Sequence, residues 1–256
     1  MKPILPFLPD RPAKPRKSGL TMVMDKGLSV REAEDLVSVG SEYVDFVKLG
    51  FGTSVITPNL EKKILVYKNA GIIPYFGGTL FEAFIIRNMF DSYLELINKY
   101  KITLVEVSDG AYELDHNQKL EYISRLAESR TVISEVGSKK SDVVYSPAQW
   151  VDMMKSELEA GSFKVIAEAR ESGTIGIYNE DGSINNNVIN AISQHVSLDN
   201  VIWEAPLKSQ QVWFIKHFGA NVNLGNIAPN EVISLETLRL GLRGDTFLQF
   251  LPKGSY

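Results

Sequence analysis

The amino-acid sequence predicts a (β/α)8 TIM barrel of the α/β class, and three observations lead to this prediction. Short β-rich runs alternate with amphipathic helical segments, which is the order that parallel strands joined by helical crossovers require. There are eight such pairs, and 256 residues is a length typical of a closed eight-unit barrel. An open doubly wound sheet is the alternative, but no glycine-rich dinucleotide fingerprint follows the first run.

The N-terminal segment differs in composition from the rest of the chain. Residues 1–18 are rich in proline and basic side chains, and they lack the apolar run of a signal peptide. We expect them to form an extended arm that lies on the domain or on a neighbouring subunit. Residues 19–256 are expected to form a single barrel domain. The arm is compatible with a homo-oligomer, in which it would lie on a neighbouring subunit.

Turn residues and helix caps mark the predicted elements in order. The β-rich runs lie at 20–25, 43–48, 72–76, 103–107, 131–136, 164–169, 201–204 and 221–224. The helical segments lie at 29–40, 58–71, 80–100, 116–130, 146–162, 185–196, 209–220 and 229–244. Ser29 and Ser146 are suited to cap helix N-termini, Pro147 suits a first turn, and Gly40 and Gly71 suit helix ends.

The composition argues against several functional classes. The net charge is −4, so a broad basic surface for nucleic acid is not expected. The chain has no cysteine and only three histidines, which argues against disulfides, thiolate catalysis and a histidine or cysteine zinc site. No apolar stretch is long enough to span a bilayer. We therefore expect a cytoplasmic protein without nucleic-acid or membrane partners.

A glutamate recurs at the same place in four consecutive predicted strands. Each strand carries an aliphatic residue followed two positions later by the acid: Leu104 and Glu106, Ile133 and Glu135, Ile166 and Glu168, Ile202 and Glu204. Because side chains alternate along a strand, both members of each pair share one face. If that face is the barrel interior, the carboxylates converge at the strands' carboxyl ends, where this fold holds its active sites. By the same spacing, Asp25 and Lys48 are expected at the equivalent positions of the first two strands.

Carboxylates that lie close together repel one another unless a cation or lysines compensate. An oxygen-rich site without histidine or cysteine is suited to Mg²⁺. The alternative for any single glutamate is a structural ion pair with lysine or arginine. Four acids in one register favour a shared site over four separate ion pairs.

Polar loops follow several predicted strands and offer sites for anions. Gly77-Gly78-Thr79 ends the third strand and opens a helix, where free backbone N–H groups favour negative charge. A plain tight turn explains these glycines equally well. Lys208 and Ser209 follow the seventh strand, and Asn223 and Asn226 bracket the end of the eighth. Phosphate sites in this fold commonly lie after these two strands.

Nine motifs occur in order along the chain: DKGL at 25–28, DFVKLGFGTS at 45–54, GGTLFE at 77–82, VEVSDG at 105–110, SEVGSK at 134–139, EARESG at 168–173, WEAPLKSQQ at 203–211, NVNLGNI at 221–227 and LETLRLGLRGDTF at 235–247. Together they resemble the phosphosulfolactate synthase family over nearly the whole chain, from Gly19 to Phe247. The resemblance implies a carbon–sulfur lyase that adds sulfite to phosphoenolpyruvate with Mg²⁺, giving (2R)-phospho-3-sulfolactate. In methanogens that product leads to coenzyme M, and in some bacteria it leads to sulfolactate.

The implied reaction suggests roles for the candidate residues. Lys139 is the predicted proton donor with Lys48 second, and Lys48 and Arg170 would offset the charge of the two anionic substrates. Glu168 and Glu204 would orient these cations. The predicted Mg²⁺ ligands are Glu106, Asp109 and Glu135, and the predicted phosphate or carboxylate binders are Gly77, Gly78, Thr79, Lys208, Ser209 and Asn226.

Two other functions are open at this point. Lys48 in a desolvated pocket would suit a Schiff-base aldolase. A non-catalytic, stress-related barrel protein is the second alternative, although buried charges without a role are costly.

Overall fold

The computed structural model describes residues 5–137, 144–252 and 254. Short strands alternate with helices along these residues, and this alternation confirms the predicted (β/α)8 barrel. The strands are β1 (Thr21–Asp25), β2 (Phe46–Leu49), β3 (Ile73–Phe76), β4 (Leu104–Val107), β5 (Thr131–Val136), β6 (Ser162–Ala167), β7 (Val201–Glu204) and β8 (Leu224–Ile227). The helices are α1 (Val30–Gly40), α2 (Leu60–Asn69), α3 (Gly78–Ile85), α4 (Phe90–Lys99), α5 (His116–Ala127), α6 (Pro147–Glu159), α7 (Asn186–His195), α8 (Lys208–Phe218) and α9 (Val232–Arg239). None of the described helices is long and apolar enough to cross a membrane.

The barrel is nearly closed. Its strands follow one another in the order β3-β2-β1-β8-β7-β6-β5-β4, and every pair in this series is parallel. The two ends of the series, β3 and β4, lie side by side but share no ladder in the described chain. A side chain links them instead, because Glu106 on β4 accepts a hydrogen bond from the backbone N–H of Gly78, two residues after the end of β3.

The interior of the barrel changes from apolar to polar toward the carboxyl ends of the strands. Register places Met22 beside Phe46 and Met24 beside Lys48, so these four side chains share one face. That face is the interior, because Lys48 reaches glutamates on β4, β5 and β7. An apolar level that includes Met22 and Phe46 therefore lies beneath a polar level that includes Lys48.

The prediction that Asp25 shares the interior face is wrong. Met24 pairs in register with Lys48, so Met24 points inward and Asp25 points toward the helices. The Asp25 carboxylate is held there by Lys63 Nζ and the Tyr67 hydroxyl, both at 2.9 Å from Oδ2. Asp25 therefore ties the end of β1 to α2.

The predicted helix 80–100 is two helices in the structure. α3 ends in a Schellman motif, in which Asn88 N–H donates to the carbonyl of Ile85 and Met89 N–H donates to the carbonyl of Phe84. Asn88 adopts a left-handed conformation with φ 55°, which ends the helix. An asparagine tolerates this conformation better than most residues, so the continuous amphipathic pattern concealed a turn.

The eighth strand begins three residues later than predicted. Asn223, expected near its C-terminal end, instead precedes it and is buried at the N-terminal end of the barrel. Its side chain accepts a hydrogen bond from Leu20 N–H and donates to the carbonyl of Val201. Asn223 therefore joins the starts of neighbouring strands and lies at the end of the barrel opposite the polar level.

The N-terminal end of the barrel is covered by the described part of the arm and by α9. Arg11 forms an ion pair with Glu236 at 2.8 Å, and Arg16 forms one with Asp45 at 2.9 Å. Arg239 is fully buried and donates to backbone carbonyls that precede β1 and β8. Arg239 therefore points away from the polar level at the carboxyl ends of the strands.

Candidate active site

Three of the four recurring glutamates surround the ammonium group of Lys48. Lys48 Nζ lies 2.9 Å from Glu106 Oε1, 2.7 Å from Glu135 Oε2 and 3.8 Å from Glu204 Oε1. All four side chains are buried, since none is more than 7% exposed. We call this group the Lys48 cluster.

The fold brings the Lys48 cluster together from strands distant in the sequence. Lys48 lies on β2, and the glutamates lie on β4, β5 and β7 near their carboxyl ends. Register confirms that their side chains share the interior face, because Glu106 pairs with Ile133 and Glu135 pairs with Ile166. The pattern of an aliphatic residue followed two positions later by glutamate therefore predicted the convergence.

Electrostatics holds the Lys48 side chain in its charged form. Burial by itself would lower the pKa of Lys48, but the carboxylates of Glu106, Glu135 and Glu204 raise it well above its usual value. Burial also raises the pKa of Glu106, and Lys48 opposes that shift. Within this cluster three carboxylates face one ammonium group, so a further positive charge is favoured here.

Two features around Glu106 were not predicted. Its Oε1 accepts a hydrogen bond of 2.5 Å from Gly78 N–H at the start of α3, so a predicted anion-binding amide already serves a protein carboxylate. Tyr75 pairs in register with Lys48 on β3 and is fully buried. Burial raises the pKa of Tyr75 well above its usual value, and Glu106 adds to the shift. The Tyr75 hydroxyl therefore stays protonated.

Glu82 organises the loop after β4, and sequence reasoning missed it. This buried side chain on α3 accepts hydrogen bonds from the Ser108 hydroxyl and from the backbone N–H groups of Ala111 and Tyr112. The sequence signals were its place at the end of the GGTLFE motif and its position four residues after Gly78, on the buried side of α3. The loop that Glu82 holds carries Asp109.

Asp109, a predicted Mg²⁺ ligand, is bound by a lysine of α5. Lys119 Nζ lies 2.8 Å from Asp109 Oδ1 and 2.7 Å from Glu157 Oε1, and it also donates to the backbone carbonyl of Glu135. Burial by itself would lower the pKa of Lys119, but Glu157 and Asp109 raise it. This buried network connects the loop after β4 with β5, and the ligand role of Asp109 stays a prediction.

Glu168 and Arg170 follow the end of β6. Glu168 is buried, and Gly137 packs against it so closely that a β-carbon on residue 137 would lie 2.7 Å from the Glu168 Cβ. Arg170 is partly buried. Between them, Ala169 N–H donates to Glu204 Oε2 at 2.9 Å, so this loop also fixes one member of the Lys48 cluster.

A cavity opens above the Lys48 cluster at the carboxyl ends of the strands, and we call it the mouth cavity. The cavity is narrow, with a volume of about 40 Å³, and it opens into solvent. Its lining residues are Met24, Lys48, Phe51, Thr79, Glu135, Ala169, Glu171, Glu204 and Asn226.

The predicted anion binders divide into two groups. Thr79 and Asn226 line the mouth cavity, and Gly77 packs over Lys48, since a β-carbon on residue 77 would lie 3.1 Å from Lys48 Cε. Lys208 is exposed at the start of α8, where Ser209 follows it, and its ammonium group lies 3.2 Å from the Asp245 carboxylate. The structure thus brings the first group to the cavity, and the described contacts of Lys208 lie elsewhere.

Lys139, the predicted proton donor, lies outside the described residues. The strand that leads to it, β5, ends at Val136 beside Glu135 of the Lys48 cluster. Its role stays a prediction from the sequence.

Comparisons with known proteins identify the relatives of this chain. The family model described as (2R)-phospho-3-sulfolactate synthase (ComA) matches residues 9–245. Phosphosulfolactate synthase of Methanothermobacter thermautotrophicus is 42% identical over 93% of this chain and 95% of its own length. The protein of the same name from Bacillus subtilis is 39% identical over 94% of this chain and 96% of its own. A crystal structure of 3-hexulose-6-phosphate synthase matches 86% of this chain and 98% of its own, with a TM-score of 0.55 and 14% identity, a likeness of fold alone.

Proposed function

The chain belongs to the (2R)-phospho-3-sulfolactate synthase family, and we propose that it catalyses the Mg²⁺-dependent addition of sulfite to phosphoenolpyruvate. The product would be (2R)-phospho-3-sulfolactate, which makes the enzyme a carbon–sulfur lyase by class. The observation that carries the proposal is the Lys48 cluster beneath the mouth cavity. A buried cation among acids at the carboxyl ends of barrel strands is the arrangement expected of an active site in this fold.

The reaction joins two anions, so the site must supply positive charge where they meet. The sulfur lone pair of sulfite attacks the methylene carbon of phosphoenolpyruvate, and a carbon–sulfur bond forms. The electrons of the double bond move to the neighbouring carbon and into the carboxylate, giving an enediolate-like species. Lys48, held as an ammonium ion at the floor of the cavity, would stabilise that charge. Proton transfer to the same carbon then completes the product.

The residues of the mouth cavity suit Mg²⁺ by their donor chemistry. Glu135 and Glu204 line the cavity with carboxylate oxygens, and Asn226 adds an amide. Within the described residues no three acidic or histidine side chains form a ready-made metal site. Mg²⁺ does not require one, since it commonly binds through one or two carboxylates, waters and substrate oxygens.

We propose Glu135 and Glu204 as the residues that would hold Mg²⁺. When bound, the ion would act as a Lewis acid toward substrate oxygens. Glu106 and Asp109 as ligands stay predictions, because neither of them lines the mouth cavity.

The raised pKa of Lys48 favours a different residue as the proton donor. A general acid works best when its pKa lies near the working pH, and the surrounding carboxylates move Lys48 away from that range. We therefore keep Lys139 as the proposed donor and Lys48 as the electrostatic group. Arg170 and Glu168 follow β6. Arg170 would offset the charge of the anionic substrates, and Glu168 would orient the cationic side chains.

Lys139→Ala should lower turnover sharply and leave the fold intact, because it removes the proposed proton donor. We expect a fall of about 100-fold or more in kcat, the usual contribution of a positioned acid. The adjacent Lys140→Ala is the matched control and should retain most of the activity. Near-normal turnover in Lys139→Ala would show that the donor is another group, with Lys48 the next to test.

The proposed function can be tested by following the ultraviolet absorbance of the phosphoenolpyruvate double bond. Purified protein should remove this absorbance only when sulfite is present. EDTA should stop the reaction, and excess Mg²⁺ should restore it. Loss of absorbance without sulfite, or none with both substrates and Mg²⁺, would contradict the proposal.

The Schiff-base alternative conflicts with the state of Lys48. A lysine that attacks carbonyl carbon must be available as a neutral amine, whereas Lys48 is held as an ammonium ion between carboxylates. Borohydride should therefore fail to trap a carbonyl substrate on the protein. The expected cytoplasmic location, self-association and pathway of the product stay predictions.

A further inference from the structure

Lys26 lies directly after β1 and reaches across the opening of the mouth cavity. Its ammonium group forms an ion pair with the carboxylate of Glu171, which follows β6 and lines the cavity. In the sheet, β8 and β7 lie between β1 and β6, so the ion pair crosses the mouth above the ends of these two strands. The two side chains are 42% and 49% exposed, respectively. The pair therefore lies at the rim, between the cavity and solvent.

A buried network fixes the backbone on both sides of Lys26. Asp25 Oδ1 accepts hydrogen bonds from the backbone N–H groups of Gly27 at 2.8 Å and Leu28 at 2.7 Å. Lys63 is fully buried, and its ammonium group pairs with Asp25 and donates to the carbonyl of Leu28 at 2.9 Å. Buried charges are costly unless they are paired and hydrogen-bonded, as these are. The network thus holds the loop in place while the Lys26 side chain extends over the cavity.

The lining of the mouth cavity is poor in positive charge for a site that receives two anions. Among the described residues it contains the carboxylates of Glu135, Glu171 and Glu204 and a single cation, Lys48. Lys48 is itself shared among carboxylates at the floor. Lys26 adds a second cation at the rim and offsets the charge of Glu171 there.

The ammonium group of Lys26 has donors to spare. It carries three N–H donors, and its contact with Glu171 is the one hydrogen bond that it forms within the described chain. An exposed ion pair of this kind contributes little to the stability of a fold. An oxyanion at the mouth can therefore bind Lys26 while Glu171 stays in contact with it.

The size of the mouth cavity requires a substrate to extend to this rim. A volume of about 40 Å³ accommodates roughly three water molecules, whereas phosphoenolpyruvate carries both a carboxylate and a phosphate group. With the carboxylate at the floor, where Lys48 would stabilise the charge that develops on it, the phosphate lies toward the opening. Phosphate sites in this fold commonly lie after the seventh and eighth strands, which is the side that the ion pair crosses.

We propose that the Lys26 ammonium group binds the phosphate group of phosphoenolpyruvate at the rim of the mouth cavity, and that Glu171 orients the lysine side chain. The inference rests on the proposed function and deepens it, because it assigns the two ends of the substrate to two different cations. Lys26 binds the substrate at a distance from the reacting carbon, so its contribution is to affinity.

Lys26→Ala should raise the KM for phosphoenolpyruvate at least about tenfold, as expected when a hydrogen bond between two charged groups is lost. Binding that is equal in the ground state and the transition state changes KM and leaves kcat unaltered, so kcat should stay near the wild-type value. The thermal midpoint without ligand should also stay unchanged, because the ion pair is exposed. A wild-type KM for phosphoenolpyruvate, or a rise in the KM for sulfite alone, would overturn the assignment.

Glu171→Gln separates a binding role of the ion pair from a structural one. The amide oxygen of glutamine still accepts a hydrogen bond from Lys26, but a negative charge beside the bound phosphate is removed. The KM for phosphoenolpyruvate should therefore fall below the wild-type value. If the pair served only to hold the loops after β1 and β6 together, breaking it from either side would do the same damage. Equal rises in KM in Lys26→Ala and Glu171→Gln would thus contradict the inference.

Lys216→Ala is the matched control for the change in net charge. Lys216 is exposed in the last turn of α8, and this helix leads to the start of β8, at the end of the barrel opposite the mouth. Its replacement should leave KM and kcat at wild-type values. A rise in KM equal to that of Lys26→Ala would show a general effect of net charge and would overturn the inference.

Thermal unfolding with ligands distinguishes this inference from the proposed function, because it does not require turnover. Inorganic phosphate should stabilise the wild type and Lys216→Ala, and this stabilisation should be lost in Lys26→Ala. Pyruvate, which has the carboxylate but no phosphate, should stabilise Lys26→Ala as much as the wild type. If phosphate stabilises through Lys26 but turnover never requires sulfite, the proposed function fails and the phosphate site stands. Equal stabilisation of the wild type and Lys26→Ala by phosphate, or none in the wild type, overturns the phosphate site.

Discussion

Lys48→Met should abolish measurable turnover and destabilise the barrel by about 3–5 kcal/mol, the usual effect of removing one partner from a buried ion pair. Methionine keeps most of the unbranched lysine side chain but leaves Glu106, Glu135 and Glu204 without the ammonium group that they share. The substrate would also lose the positive charge at the floor of the mouth cavity. Chemical denaturation and the sulfite-dependent assay measure the two effects separately.

The pH dependence of Lys48→Met provides a check on the cause of its instability. Burial already raises the pKa of Glu106 above its usual value, and removing Lys48 takes away the charge that opposes this shift. Groups with a raised folded-state pKa favour folding at low pH, so the variant should regain stability relative to the wild type as pH falls. The double variant Lys48→Met, Glu135→Gln should recover part of the stability but no activity. A stable and active Lys48→Met protein would refute the role of the cluster.

Gly78→Ala should damage both stability and catalysis, although alanine is normally the better helix residue. A β-carbon on residue 78 would lie 2.5 Å from Ser108 Cβ and 2.8 Å from Glu106 Oε1. Overpacking of this kind typically costs about 1–3 kcal/mol. Turnover should fall about 100-fold, since a displacement of roughly 1 Å in a reacting site has that effect.

Gly244→Ala is the control for Gly78→Ala. Gly244 is exposed, and a β-carbon there would contact nothing within 4 Å. Its unfolding midpoint and turnover should equal those of the wild type. If Gly78→Ala also had wild-type stability and turnover, the position of the Glu106 carboxylate would not depend on close approach of the N-terminus of α3.

The sequence predicted the barrel and the convergence of its glutamates because both follow from simple periodicities. Alternation of strand and helix requires parallel pairing, and a spacing of two residues in Ile133 and Glu135 keeps both side chains on one face. The position of Lys48 followed from the same rule. These features depend only on local pattern and on the topology that the pattern imposes.

The remaining features depend on register and on tertiary partners. A shift of one residue in β1 exchanges Asp25 for Met24 on the interior face, and only pairing with β2 decides between them. The partner of Asp109, Lys119, lies on a helix that follows it in the chain. The register of β8 shifts by one residue between its pairs with Thr21 and Val23 of β1, and this shift leaves no sign in the alternation of residues. Each is fixed by contacts that a single sequence does not display.

The most direct test of the central claim is to follow the reaction by NMR with phosphoenolpyruvate labelled with ¹³C at its methylene carbon. The account predicts that the vinyl carbon signal is replaced, only when sulfite is added, by that of a saturated carbon bonded to sulfur. The ³¹P spectrum should show that the phosphate ester is retained. With Lys48→Met, the vinyl carbon signal should persist after sulfite is added. Release of inorganic phosphate, or persistence of the vinyl signal with sulfite and Mg²⁺ present, would contradict the claim that the Lys48 cluster joins these two anions.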